Sequence, residues 1–367
     1  MNIDTIKKEF PIFDEKIQNN DLVYLDSANS SQKPKVVTDR INEFYTKQFS
    51  NVGRSVHYLA VAATNLYENT RTSVQKFINA KDKNEIVFTK GATEALNLVA
   101  NTLGQNYLQE GDEVLITELE HHSNYVPWHF LRKSKNIKIN FAEINEDGEV
   151  TLEEIEKKIT SRTKVISITH LSNVTGAILP IKEITELAHS KGIIVVVDGC
   201  QGAPHLRLDM QDLDCDFYAI SCHKMYGPTG LGILYGKKKW LEELPPYQGG
   251  GGMIKEVLLD LGQLVVDTGG ENNFNVGESV NTGEGGETQT LICSGDGPQY
   301  TAVHHYENAD GEWVDIDPHT QSIPAGYSAV SYLDRLIRFN ENQSEIVVLN
   351  AKVVQEVASQ FESIIKG

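Results

Sequence analysis

Cysteine is scarce in this chain, with 4 in 367 residues. Cys200, Cys215, Cys222 and Cys293 form no CxxC or other ligand spacing, which argues against a thiolate metal site and for a reducing compartment. Cationic residues are in deficit, with 33 Lys plus Arg against 51 Asp plus Glu and a formal net charge of −18. That balance argues against nucleic acid or an anionic membrane as the main partner. No apolar run approaches the ~20 residues that cross a bilayer. The N-terminal MNIDTIKKEF has no apolar signal-peptide core, so a cytoplasmic location is expected. Internal repeats are absent as well.

What is present is an ordinary globular composition, 40% hydrophobic and 23% charged. The length suits one large α/β domain with a smaller partner. From about residue 85 to 236, short apolar runs (EIVFT, EVLIT, VISIT, IIVVVD and DFYAIS) alternate with helical patterns. GATEALNLVANTLG carries Leu96, Val99 and Leu103 at helical spacing. PIKEITELAHSKG opens after Pro180, turns Ile181, Ile184 and Leu187 to one face, and closes at Gly192. The expected fold class is therefore α/β, a mainly parallel sheet covered by helices on both faces. Residues 1–261 read as an N-terminal segment plus this large domain. Residues 262–311 are rich in Gly, Asn and Glu and read as a flexible or extended insertion. Helical spacing returns in 312–367, at AVSYLDRLIRF and at Ile346, Leu349, Val353, Val357, Phe361 and Ile364.

Ligands of parallel α/β sheets bind outside the carboxyl ends of the strands, and here those ends carry chemistry. EIVFT is followed by Gly91, Ala92 and Thr93, a glycine and a hydroxyl at a helix start, which suits an anion; alone, Thr93 would read as a plain N-cap. EVLIT leads to His121 and His122, VISIT to Asn173, IIVVVD to Asp198 and Gln201, and DFYAIS to Ser221, His223 and Lys224. Each has a bland explanation as a cap, turn or satisfied strand-end residue. Five consecutive ends of this kind are hard to assign to turns. Pyridoxal 5′-phosphate accounts for the set: a lysine condenses with its aldehyde, a carboxylate partners its ring nitrogen, and an anion site holds its phosphate. A desolvated lysine can also act as the base. The competing reading of Lys224 is a snorkelling surface lysine, which its small and aromatic neighbours disfavour.

The stretches YLDSANSSQKP, TKGATEALNLVAN, ELEHHSNYVPW, THLSNVTGA, VVVDGCQGAPH, DCDFYAISCHKMYGPTGLGILYG and PPYQGGGGMI resemble, in order, the group II cysteine desulfurases or selenocysteine lyases of the class V aminotransferase superfamily. The resemblance implies a fold-type I enzyme and a homodimer with a large cofactor domain and a small C-terminal domain. Its implied activity converts L-cysteine, or a related amino acid, to L-alanine. The sulfur would pass to an acceptor protein, as in iron–sulfur cluster assembly. By the same resemblance Lys224 would hold the cofactor and act as base, and Asp198 would pair with the ring nitrogen. Gln201 would meet the phenolic oxygen, His121 would stack on the ring, and Asn173 would lie beside it. Ala92 and Thr93, with Ser221 and His223, would form the phosphate site. Arg54 and His57, in GRSVHYLA, match a segment near the substrate entrance.

The family's sulfur-carrying loop cysteine, and the arginine that follows it, have no counterpart before the chain stops at SQFESIIKG. Cys200 and Cys222 lie near the expected cofactor. A carrier thiol needs thiolate character and access, however, and strand-end cysteines are more often buried and inert. His304, His305, Asp310, Asp315, Asp317 and His319 fit no metal-ligand spacing and read as a solvated loop. Three functions follow from these features: a desulfurase or selenocysteine lyase, another class V reaction such as transamination, and a non-catalytic cofactor-binding relative.

Overall fold

The apolar runs read from the sequence become strands of one seven-stranded sheet: β1 (Ile86–Thr89), β2 (Glu113–Thr117), β3 (Lys138–Ala142), β4 (Thr163–Thr169), β5 (Ile194–Asp198), β6 (Phe217–Ser221) and β7 (Gly232–Gly236). The computed structural model describes residues 3–53 and 55–250. It also gives the backbone of short strands at Glu256–Asp260, Gln263–Asp267, His305–Asn308, Trp313–Asp315 and Tyr327–Ala329. The strand order is β1-β7-β6-β5-β4-β2-β3. The pairs β2–β3, β2–β4, β4–β5 and β5–β6 are parallel, while β7 runs antiparallel between β6 and β1. The carboxyl ends of the other six strands therefore share one edge of the sheet.

Both faces of the sheet are covered, which is why its inner strands carry unbroken apolar runs rather than alternation. Successive side chains on a strand point to opposite faces. Leu115, Ile166, Val195, Val197, Tyr218 and Ile220 accordingly enter one core, together with Ile181, Ile184 and Ala188 of helix α4 (Ile181–Ser190). Val114, Ile116, Val165, Ile194, Val196, Phe217 and Ala219 enter the other core. There they meet Leu96, Val99 and Leu103 of α2 (Ala92–Asn106) and Trp128 of α3 (His122–Lys135). A long helix, α1 (Tyr58–Phe77), buries only Ala60, Ala63 and Arg71 along its length.

The chain divides into two units. Met1–Glu256 with Val266–Glu284 holds the large sheet, and Val257–Val265 with Gly285–Gly367 forms the second. Within the second unit, His305–Asn308 is the middle strand of an antiparallel three-stranded sheet with Trp313–Asp315 and Tyr327–Ala329. The strands Gln263–Asp267 and His305–Asn308 fall inside the 262–311 stretch, and Ala329, expected to open a helix, ends a strand. The rest of the proposed C-terminal helices, the side chains of the His/Asp group near 304–319, Cys293 and Arg54 lie outside the described residues. Among the described residues, no helix is long and apolar enough to cross a membrane.

Candidate active site

A cavity of about 210 Å³ opens at the shared carboxyl edge of the sheet. Ala92, Thr93, His121, Asn173, Asp198, Gln201, Ser221, His223 and Lys224 all line it. These are the nine residues expected to hold a cofactor, drawn from five strand ends. His57 does not join them: it is exposed and caps α1, its Nδ1 accepting the Ala60 N–H at 3.3 Å. Thr93 is not an N-cap either. Gly91 holds that position, so the Thr93 hydroxyl stands one turn-step inside α2 and faces the cavity.

The floor is polar and deeply placed. Asp198 ends β5 with only 3% of its surface exposed, and among the described residues it has no cationic partner. Its Oδ1 accepts the Cys200 N–H at 3.0 Å. A buried carboxylate without a counter-charge is costly, and this one lies on a cavity that Lys224 also lines. Lys224 is half-buried on the 3₁₀ turn Cys222–Lys224 that follows β6. The end of the cavity suited to an anion lies where α2 begins. The Ser221 hydroxyl accepts the Ala92 N–H at 2.9 Å, which sets a hydroxyl beside the helix N-terminus, where an anion is favoured.

That close approach of β6 to α2 depends on Gly232, which pairs with both Ser221 and Thr89 in the ladder. A Cβ there would fall 2.4 Å from the Gly91 Cα. On the opposite wall His121 caps α3. Its Nδ1 accepts the Ser123 N–H at 3.2 Å and lies 2.7 Å from the Ser123 hydroxyl, which leaves Nε2 as the protonated nitrogen of the neutral ring. His223 is held below its ordinary pKa by burial and by the nearby Lys224 and Lys33 charges.

Several residues of the site carried no assignment in the sequence reading. Asn29, Ser123, Thr169 and Leu171 also line the cavity. The segment containing Asn29 clamps the lysine turn through one carbonyl. His223 O accepts from the Ser31 N–H at 3.0 Å, the Ser31 hydroxyl at 3.0 Å and the Lys33 ammonium at 2.8 Å, and the Ser31 hydroxyl in turn accepts the Tyr226 N–H at 2.7 Å. Gln201 donates to Ala28 O at 2.6 Å, tying the same segment to the end of β5. The only signal available beforehand was that YLDSANSSQKP matched a family stretch.

The family model for class V aminotransferases matches residues 23–274. The chain belongs to this family. It is 48% identical over 254 residues to a probable cysteine desulfurase of Halalkalibacterium halodurans, a match covering 69% of this chain and 63% of that protein. It is 43% identical over 265 residues to a cysteine desulfurase of Dickeya dadantii, covering 72% of this chain and 64% of that one. Among solved structures, the cysteine desulfurase CsdA of Escherichia coli aligns with a TM-score of 0.65 and 38% identity over 73% of this chain and 66% of its own. An apo cysteine desulfurase of Thermococcus onnurineus aligns with a TM-score of 0.68 and 36% identity, over 76% and 67%. The matches thus span somewhat under two thirds of those two curated relatives. In a class V member the gathered set has a chemical meaning: a lysine, a buried carboxylate with no cationic partner among the described residues, and a helix-start hydroxyl at one cavity.

The three described cysteines are buried, and desolvation pushes all of them up: Cys222 to about 11, Cys215 further, and Cys200 well above its ordinary value. Cys200 stands on the cavity wall but is held as a thiol, with the Asp198 charge adding to the effect of burial.

Proposed function

We propose that the cavity binds pyridoxal 5′-phosphate and that the whole protein cleaves the carbon–sulfur bond of L-cysteine, releasing L-alanine. The observation that carries this reading is Asp198, a buried carboxylate without a described counter-ion on the same cavity as Lys224. The residues fit the group at each of its ends. Asp198 would hold a proton on the ring nitrogen, and Ser221, Thr93 and His223 would bind the phosphate at the start of α2. His121 would cover one ring face and exclude water. Gln201 keeps one amide N–H for the phenolic oxygen, the other being given to Ala28 O. Bound there, pyridoxal phosphate supplies an electron sink for the bonds of the substrate's Cα. Lys224, free of described ion pairs, would take the proton from that Cα, and Asn173 lies on the wall beside it.

A thiol that receives sulfur must reach the substrate as thiolate. None of the described cysteines does, so sulfur transfer is assigned to groups outside the described residues. The homodimer, an acceptor protein of iron–sulfur assembly, the cytoplasmic location and the division at 261 and 311 belong to the same proposal. So does a substrate-contact role for Arg54. Selenocysteine, which differs by one atom, would be the related substrate.

The test is to purify the chain with pyridoxal phosphate, record its visible absorption, and offer L-cysteine with a reductant. Alanine and sulfide are expected, with colour and product both lost in Lys224→Ala. A wild-type chain that takes up no cofactor overturns the site. Amino transfer to an added keto acid, in place of sulfide release, would replace the desulfurase by an aminotransferase.

A further inference from the structure

Behind the cavity wall lies an acidic group with no part in the chemistry above. Glu120 is half-buried as a residue, but its carboxylate is enclosed. It receives hydrogen bonds from three directions. The Thr117 hydroxyl at the end of β2 donates to Oε1 at 2.6 Å, the Thr169 N–H at the end of β4 donates to Oε1 at 2.9 Å, and the Asn124 amide in the first turn of α3 donates to Oε2 at 2.5 Å. Asn124 is fixed at its other end by the Ser167 hydroxyl at 2.6 Å. Two of the residues joined through this carboxylate, His121 as its chain neighbour and Thr169 as its donor, form the cavity wall.

We propose that Glu120 is a positioning residue of the cofactor site, locking two strand ends to the start of α3 and adding a second negative charge behind Asp198. The inference rests on the cofactor reading above. The titratable groups on the surrounding elements are His121 and His122 at the start of α3, His170 after β4 and Asp198 at the end of β5. Of these, Asp198 supplies the charge that acts on Glu120. Enclosure raises the Glu120 pKa to about 7 against the lowering effect of its three donors, and the Asp198 charge adds a smaller upward push. The brace therefore passes from mostly neutral to mostly charged as pH rises through about 7. The charged form strengthens the hold on a protonated ring nitrogen at Asp198, while the discharged form is close to a glutamine in shape and charge.

The experiment titrates pyridoxal 5′-phosphate into wild-type and Glu120→Gln chains from pH 6 to pH 8 and takes the ratio of dissociation constants. Ionisation of the free cofactor affects both chains alike and cancels in the ratio. The ratio of variant to wild type is expected below about two at pH 6, rising to about five- to tenfold by pH 8 with a midpoint just below 7. A ratio that does not change with pH, whatever its size, overturns the inference alone. A wild-type chain that fails to bind the cofactor overturns both readings. If the variant does not fold, carboxyl 13C resonances of the wild-type chain give the same decision. Glu120 must titrate near 7 in the cofactor-free protein and lower once the cofactor is bound, and an unshifted titration overturns the proposal.

Discussion

Replacing Gly232 by alanine tests whether the edge of the sheet is built as tightly as the site requires. The added Cβ would lie 2.4, 2.5 and 2.7 Å from Cα, C and N of Gly91. Carbon atoms pack at about 3.5–4.0 Å, so the two backbones must part by about 1 Å. Neither can yield freely, because Gly232 is held on one side by Ser221 and on the other by Thr89. Overpacking of this kind costs about 1–3 kcal/mol, and contacts that are backbone on both sides belong at the upper end. Moving Gly91 also stretches the Ala92 N–H to Ser221 bond, worth about 1 kcal/mol. The sum is about 3–4 kcal/mol, read as a lower midpoint in urea denaturation, with weaker pyridoxal phosphate binding at the distorted helix start. Gly230→Ala is the control. Its φ of +74° makes alanine strained, but no atom lies within 4 Å of the new Cβ, so the cost is about 1 kcal/mol. Equal stability of the two variants, or a Gly232→Ala chain that binds cofactor like wild type, would refute the reasoning.

Three further outcomes are expected. Ser221→Ala leaves the Ala92 N–H without its acceptor. It should lower stability by about 1–2 kcal/mol and reduce affinity for inorganic phosphate and pyridoxal phosphate together, both measurable by calorimetry. In the folded chain Cys200, Cys215 and Cys222 should resist iodoacetamide at pH 8, as followed by peptide mass spectrometry; their rapid labelling would contradict their burial. His170, pushed down to about 4 by burial, and Glu120, pushed up to about 7, act on stability with opposite signs. As pH rises from about 4 to 6.5, the unfolded chain binds more protons at His170, so that residue makes the fold more stable. From about 4.5 to 7 the folded chain binds more protons at Glu120, which then makes the fold less stable. Each shift is worth about 3 kcal/mol, so the two slopes nearly cancel. Urea midpoints across this range should decline with pH in His170→Gln and climb in Glu120→Gln, and parallel profiles would rule the assignment out.

The sheet was legible where burial on both faces forces apolar residues at every position. VISIT and IIVVVD are such strands, and their ends led directly to Asn173 and Asp198. Two strands escaped for physical reasons. Strand β3 lies at the sheet edge with only Ala142 buried, so KINFA carries no apolar run and its short polar–apolar alternation is not matched by burial. Strand β7 is fully buried, but its run GILYG begins and ends in glycine and follows the lysine closely, so it reads as a continued turn. Helix α1 was missed because its buried face consists of alanines and one arginine. Arg71 has no exposed surface and donates to Ile86 O, and no hydropathy pattern marks an arginine as core.

The candidate site shows the same division more sharply. Residues proposed to meet a ligand must be of particular chemical types at strand ends, so Lys224, Asp198 and His121, which line one cavity, could be named as candidates from the sequence. The residues that hold them have no such requirement. Ser31 reaches the lysine turn from 192 positions away, and its target is a backbone carbonyl that any residue would present. Glu120 stands beside a conspicuous histidine pair, yet its three donors come from 3, 4 and 49 positions along the chain. A glutamate in ELEHH reads as a solvated loop charge until the strand ends are brought together around it. The sequence pattern thus identifies which groups can do chemistry. Their alignment is set by hydrogen bonds to partners whose identity matters little and whose position matters a great deal. For this reason Glu120→Gln and Gly232→Ala, neither touching the proposed ligand, are expected to alter its binding measurably.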